Sequence, residues 1–177
     1  MIKYKMFFTK MKPTVRMVSI VALCLFVFIG QSEAKKKNFY LLVDKQNLEL
    51  NVCSLNKKEC DRLATYPINI GKVKGKKTCY GDKKTPEGTF KIMSIENSSN
   101  WKRNFGDGRG AVRAYGKYFL RLKTVGYRGI GIHGSTNNED SVPGRTSTGC
   151  IRLHDKDIKE LTEKYAFVGM KVVILKD

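Results

Sequence analysis

"GIHGSTNNEDSVPGRTSTGCIRLHDKD", residues 131–157, carries both histidines of the chain, His133 and His154, and one of its five cysteines, Cys150. "GIGIH" alternates small and apolar residues, which reads as a short strand ending at His133. "STNNEDSVPGRTST" is a polar loop, and "CIRL" is a brief apolar, strand-like run. "HDKDIKELTEKYAF" places Ile158, Leu161 and Tyr165 at helical spacing, and Asp155 or Asp157 is expected to accept hydrogen bonds from the first amides. His154 then falls at the helix start. Cys150 has three readings: a nucleophile served by a histidine, one half of a disulfide, or a small buried hydrophobe.

The flanking sequence is dominated by short strands. "NFYLLVDKQNLELNVCS" reads as two strands about a polar turn at Asp44–Asn47. "DRLATYPINIGK" is one further strand ending at Gly71. Residues 72–90 form a Lys- and Gly-rich loop that closes on "TPEGTF", a turn into the strand "GTFKIMSIEN". Residues 98–117 form the longest irregular region and hold the single tryptophan, Trp101. "YFLRLK" precedes the opening stretch and "GMKVVILKD" closes the chain, both as strands. Many short strands and one clear α-helix, after Cys150, predict a mostly β sandwich or barrel-like domain.

Residues 1–34 read as a signal peptide rather than as part of that fold. A basic opening with Lys3, Lys5, Lys10, Lys12 and Arg16 leads into the apolar "VSIVALCLFVFIG" and then "QSEA", with Ser32 and Ala34 at signal-peptidase spacing. The apolar run is short against the roughly 20 residues of a membrane span. Leu23 before Cys24 is too bulky for a lipidation motif. Residues 35–177 would then be one exported domain in the periplasm or cell wall. The 177-residue chain has a formal net charge of +18, which attracts polyanions in general. Export argues against nucleic acid and leaves transient association with membrane or wall.

Export also permits disulfides. Cys53 and Cys60 flank the turn-like "SLNKKE" and form the natural pair; Cys79 is then a spare thiol or a partner for Cys150. The two histidines and the lack of a C-x-x-C pair give no zinc spacing, and no metal or cofactor is expected.

Chemistry concentrates at the two strand ends of the opening stretch. Adjacent strands ending at His133 and beginning at Cys150 would bring a base to a thiol. Gly149 lets the backbone approach a substrate closely, and the amides of Thr148, Gly149 and Cys150 can face a developing oxyanion. Arg152 falls on the same strand face as Cys150 and adds positive charge. The pattern fits cysteine acyl transfer. Trp101, Arg103, Arg109, Arg113, Tyr115 and Tyr118 are candidates for a cleft wall, or else for core and solvated surface.

"IHGS", a polar loop, then "STGCIRL" and an aspartate resemble the signature of the L,D-transpeptidase catalytic domain. "FYLLVDKQNLELNV", "YPINIGK", "KTPEGTFKI" and "CIRLHDKDIKEL" resemble further family segments in the family's order, over essentially all of residues 38–177. The resemblance implies an L,D-transpeptidase-like β-sandwich. It places Cys150 as nucleophile and His133 as general base, with a carbonyl of Gly134 or Ser135 orienting the ring. It makes the amides of Thr148 to Cys150 the oxyanion hole, and Ser147 and Arg152 substrate-binding positions. Most members carry a second histidine where this chain has Thr148, a departure that bears on substrate affinity or thiol tuning; His154 does not replace it.

The implied reaction forms a thioester. Cys150 thiolate, paired with protonated His133, attacks the bond between the diamino acid and terminal D-Ala of a peptidoglycan tetrapeptide, and D-Ala leaves. An acceptor amine then gives a cross-link, a step of wall biogenesis and cell shape. Water as acceptor makes an L,D-carboxypeptidase, and a lipoprotein lysine makes a lipoprotein-attaching variant. A non-catalytic wall-binding domain of the same fold is the reading from a different class. The partners implied are peptidoglycan stem peptides, and carbapenem-type inhibitors are expected to acylate Cys150.

Overall fold

The alternation in residues 38–55 becomes a hairpin. β1 (Phe39–Asp44) and β2 (Glu49–Ser54) pair antiparallel, and the Asp44 carboxylate accepts the Gln46 and Asn47 amides at 2.9 and 3.0 Å to close the turn. The structure, a computed structural model, describes residues 38–55 and 61–177. The signal-peptide reading, Cys24 and Cys60 lie outside those residues. Cys53 is disulfide-bonded, while Cys79 and Cys150 are free, so the partner of Cys53 also lies outside them.

Ten strands form one sheet. After β3 (Asp61–Pro67) and β4 (Asn69–Gly71), the long strand β5 (Gly88–Asn97) serves both halves of the sheet. Its first residues pair with β12 (Lys171–Ile174) and its later residues with β8 (Tyr118–Leu122). The order is β10-β4-β11-β9-β8-β5-β12-β1-β2-β3, where β9 is Gly131–His133, β10 is Gly144–Ser147 and β11 is Ile151–Arg152. The ladder is unbroken through β5, so the two layers of the expected sandwich are one curled sheet. Leu41, Val43, Leu50 and Val52 of one half and Ile70, Ile92, Leu120, Ile132 and Ile151 of the other belong to a single core. Burial of such residues is the dominant favourable contribution to the fold, at about 25 cal/mol per Å² of apolar surface.

The single α-helix among the described residues, α1 (Asp155–Lys164), buries Ile158 and Leu161. Its first turn differs from the sequence expectation. Glu139, from a short 3-10 turn at Glu139–Ser141, accepts the Asp155 amide at 3.0 Å and pairs with the His154 ring at 2.5 Å. The Asp155 carboxylate is thereby free to turn toward Ser135 and Thr136.

Three further segments differ from the sequence reading. "DRLATYPINIGK" is two strands, β3 and β4, because they join opposite ends of the sheet. The region 98–117 is not wholly irregular: β6 (Lys102–Asn104) and β7 (Ala111–Arg113) form a separate two-stranded hairpin. Their exposed, basic faces hide the alternation that marks a half-buried strand. The polar loop after His133 contains β10, an edge strand running parallel to β4.

Candidate active site

β9 and β11 are adjacent and parallel, with Ile132 opposite Ile151 and His133 opposite Arg152. Side chains alternate across a strand, so Cys150, two residues before Arg152, shares the face of both His133 and Arg152. The pleat therefore delivers the expected juxtaposition. His133, Cys150 and Arg152 line one narrow pit together with Arg103, Phe105, Ala114, Tyr115, Ser147 and Thr148. Cys150 also opens onto a wider cleft of about 310 Å³, walled by Lys77, Tyr80, Lys83, Arg103, Tyr115, Arg128 and Ile130.

The imidazole is fixed from several sides. Its Nδ1 lies 2.7 Å from the Gly134 carbonyl. A carbonyl only accepts, so Nδ1 carries the proton and Nε2 holds the lone pair. The Phe119 ring stacks on His133 at 5.5 Å and Tyr115 leans on it at 4.8 Å; Trp101 packs on both aromatics. Gly131 makes room for this stack, because a Cβ there would stand 2.3 Å from the Phe119 ring. Behind the histidine, Asp155 accepts the Ser135 amide at 2.8 Å and the Thr136 hydroxyl, holding the turn that carries the Gly134 carbonyl. A Cβ on Gly134 would meet both this carboxylate and Gly116.

The turn before Cys150 is built as tightly. Gly149 has φ +133°, and a Cβ there would lie 2.9 Å from the Lys84 carbonyl. The buried Ser147 hydroxyl accepts the Gly149 amide at 3.1 Å and donates to the Cys150 carbonyl at 2.6 Å. Both capacities of Ser147 that the turn uses are thus internal to it, so the residue expected to meet substrate acts here as a brace. Asn69, fully buried, accepts the Thr146 and Ser147 amides at 3.2 and 3.1 Å. The Thr85 hydroxyl accepts from the Gly71 amide at 2.8 Å and donates to the Gly149 carbonyl at 3.1 Å. Thr85 belongs to the "TPEGTF" segment, whose sequence signalled a turn but not this contact. Asn69 carries no such signal, since its role depends on β4 lying beside β10.

The resting thiol donates to the Gly129 carbonyl, 3.3 Å away. Burial pushes the Cys150 thiol up, against the lowering pull of the Gly131 amide and of Arg152, Arg103 and Arg121. Burial also pushes His133 down to about 3, helped by the charges of Arg152 and Arg103 and opposed by the Gly134 hydrogen bond. Burial thus favours a neutral thiol and a neutral imidazole over the thiolate–imidazolium pair that the resemblance implies.

Arg152 is 6% exposed, donates to Ser141 Oγ at 3.0 Å and leaves its buried Nε without a partner. Arg103, from β6, donates to Thr148 Oγ1 at 3.4 Å and lines the same pit as Arg152. Of the other residues singled out in the sequence, Tyr115 lines the cleft and Trp101 supports it. Arg109 instead binds Asp107 and the Asn137 carbonyl, and Tyr118 faces Glu163 on the helix.

The model of the L,D-transpeptidase catalytic domain matches residues 38–174. The chain belongs to this family. It is 33% identical over 141 residues to the Bacillus subtilis protein named "Putative L,D-transpeptidase YqjB", covering 78% of this chain and 72% of that one. It is 38% identical over 99 residues to "Putative L,D-transpeptidase YkuD" of the same organism, covering 56% and 46%. Among solved structures, Bd1075 of Bdellovibrio bacteriovorus is 26% identical with a TM-score of 0.54, over 78% of this chain and 48% of that one. The L,D-transpeptidase LdtMt1 in complex with imipenem is 19% identical with a TM-score of 0.57, over 78% and 59%, and shares the fold. The chain thus spans about half of YkuD and of Bd1075. The mostly β architecture, with one α-helix among the described residues, is that of an L,D-transpeptidase catalytic domain.

Proposed function

We propose that the chain is an exported peptidoglycan L,D-transpeptidase acting through a Cys150 thioester. The observation that carries this reading is the pairing of β9 with β11, which sets Cys150 and His133 on one face, lining one narrow pit. Membership of the family supports the reaction class.

The two neutral groups define the order of events. As Cys150 Sγ attacks the carbonyl carbon between the diamino acid and D-Ala, the thiol proton passes to His133 Nε2. The Gly149 amide already serves Ser147, so the oxyanion falls to the Thr148 and Cys150 amides. The C–N bond then breaks and the D-Ala amine takes the proton from His133. An acceptor amine attacks the thioester and gives its proton to His133; the C–S bond breaks, and the thiolate takes that proton back. Gly134 and Ser135 support this sequence through the carbonyl that holds Nδ1 and the amide that Asp155 binds. Arg152 lines the pit with a buried guanidinium whose charge suits a substrate carboxylate.

Mass spectrometry of the purified domain with a disaccharide-tetrapeptide tests the reading. Cross-linked dimer supports the transpeptidase and tripeptide alone the carboxypeptidase. An unchanged substrate with folded protein contradicts both and returns the wall-binding domain.

A further inference from the structure

We propose that the cleft beside Cys150 selects acyl donors whose carboxylates are free rather than amidated, with Lys83 and Arg128 as the residues that set this preference. The inference rests on the transpeptidase reading and names the substrate class of that same site.

The cleft walls are cationic without compensation. Lys83, Arg103 and Arg128 line it, and none of the three forms an ion pair among the described residues. Lys77, also in the wall, differs: Asp82 neutralises it at 2.6 Å. Among the described residues, no acidic side chain lines the cleft. Below it, Arg152 is buried with an orphaned Nε, and Arg103 acts on it with like charge across the pit.

Like charges lining one concave wall repel one another, and a bound anion relieves that repulsion. A buried guanidinium donor without a partner adds a site that an acceptor oxygen completes. The cleft shares Cys150 with the pit, so the anion that fits is part of the acyl donor itself. A stem peptide with free carboxylates offers several such groups. Its amidated counterpart offers only amide dipoles, and each amide brings an NH₂ donor toward cations that cannot accept. Lys83 and Arg128 are exposed on the cleft wall, away from the His133 side of the thiol, and so act on donor choice.

The test compares kcat/KM for one disaccharide-tetrapeptide in free-carboxylate and amidated forms. The free form is expected to be preferred about tenfold or more, the size of one charge-assisted hydrogen bond lost on amidation. The preference should shrink as salt rises. In the Lys83→Gln, Arg128→Gln double variant the ratio should fall toward one, and Arg128→Glu should favour the amidated donor. A ratio reads selectivity even where a variant is globally slower. Equal turnover of both donors by the wild-type domain, or a ratio untouched by the variants, overturns the inference and leaves the transpeptidase reading standing. Turnover of neither donor overturns that reading, and this inference with it. Calorimetric titration of both donors into Cys150→Ala gives the same comparison without chemistry; equal affinity there also overturns it.

Discussion

Thr85 is joined to Gly149 by a buried hydrogen bond, its hydroxyl 3.1 Å from the Gly149 carbonyl, while the same oxygen accepts the Gly71 amide at 2.8 Å. One side chain from the loop before β5 thus ties an inner strand to the turn before Cys150. Thr85→Val keeps the shape and strands both backbone groups, at a cost of about 1–3 kcal/mol each when buried. Thermal melts should show the destabilisation, and kcat should fall more than KM rises. Thr85→Ser should restore most of both.

Gly149→Ala tests the turn from the other side. The added methyl meets the Lys84 carbonyl at 2.9 Å, and φ +133° is strained for any residue with a Cβ. The backbone strain alone amounts to about 1–3 kcal/mol. The expected outcome is a folded but less stable protein whose thiol has lost its reactivity, read by the rate of alkylation with iodoacetamide.

The neutral resting pair sets the pH dependence of activity. A base that must be unprotonated limits kcat/KM below its pKa, and His133 lies near 3 rather than at the usual 6.5. The acid limb of kcat/KM should therefore fall well below pH 6. Removing one of the charges that depress His133, as in Arg103→Gln, should move that limb upward. A limb at pH 6.5 in the wild type would contradict the neutral pair.

Acid stability follows from the same shift. A group whose folded pKa lies below its unfolded value binds fewer protons when folded, so stability is full above the unfolded pKa and is lost on acidification. For His133 the loss runs from about 6.5 down to about 3. Below about 4, Asp177 and Glu96 add to it. Asp177 is held near 2, against its burial, by hydrogen bonds from Lys45, the Gly75 amide and Arg145. Glu96 is held there chiefly by Arg121. Urea midpoints measured from pH 8 to 3 should hold to about pH 6.5 and decline below it. His133→Asn should flatten the upper part of the curve and Asp177→Asn the lower.

What the sequence made legible was local. Period-two runs of apolar residues gave β1, β2, β8 and β12, and period 3.6 gave α1, because each buries one face. His133 and Cys150 stood out because both flank small-residue turns at strand ends. The β6–β7 hairpin was hidden because little of it is buried. Asn69, Thr85 and Phe119 were invisible as site residues, since each acts through a contact with a distant part of the chain. Ser147 was legible in position but not in role: only the geometry shows its hydroxyl turned into the turn.

Everything proposed for the site turns on Cys150 as the carrier of the acyl group. Intact-mass analysis of the purified domain with a tetrapeptide donor and no acceptor reads it directly. One adduct equal to the donor less D-Ala is expected, located on Cys150 by peptide mapping, formed at least about a thousandfold more slowly in His133→Gln and absent from Cys150→Ala. An adduct that persists in Cys150→Ala, or one mapped to Cys79, would contradict it.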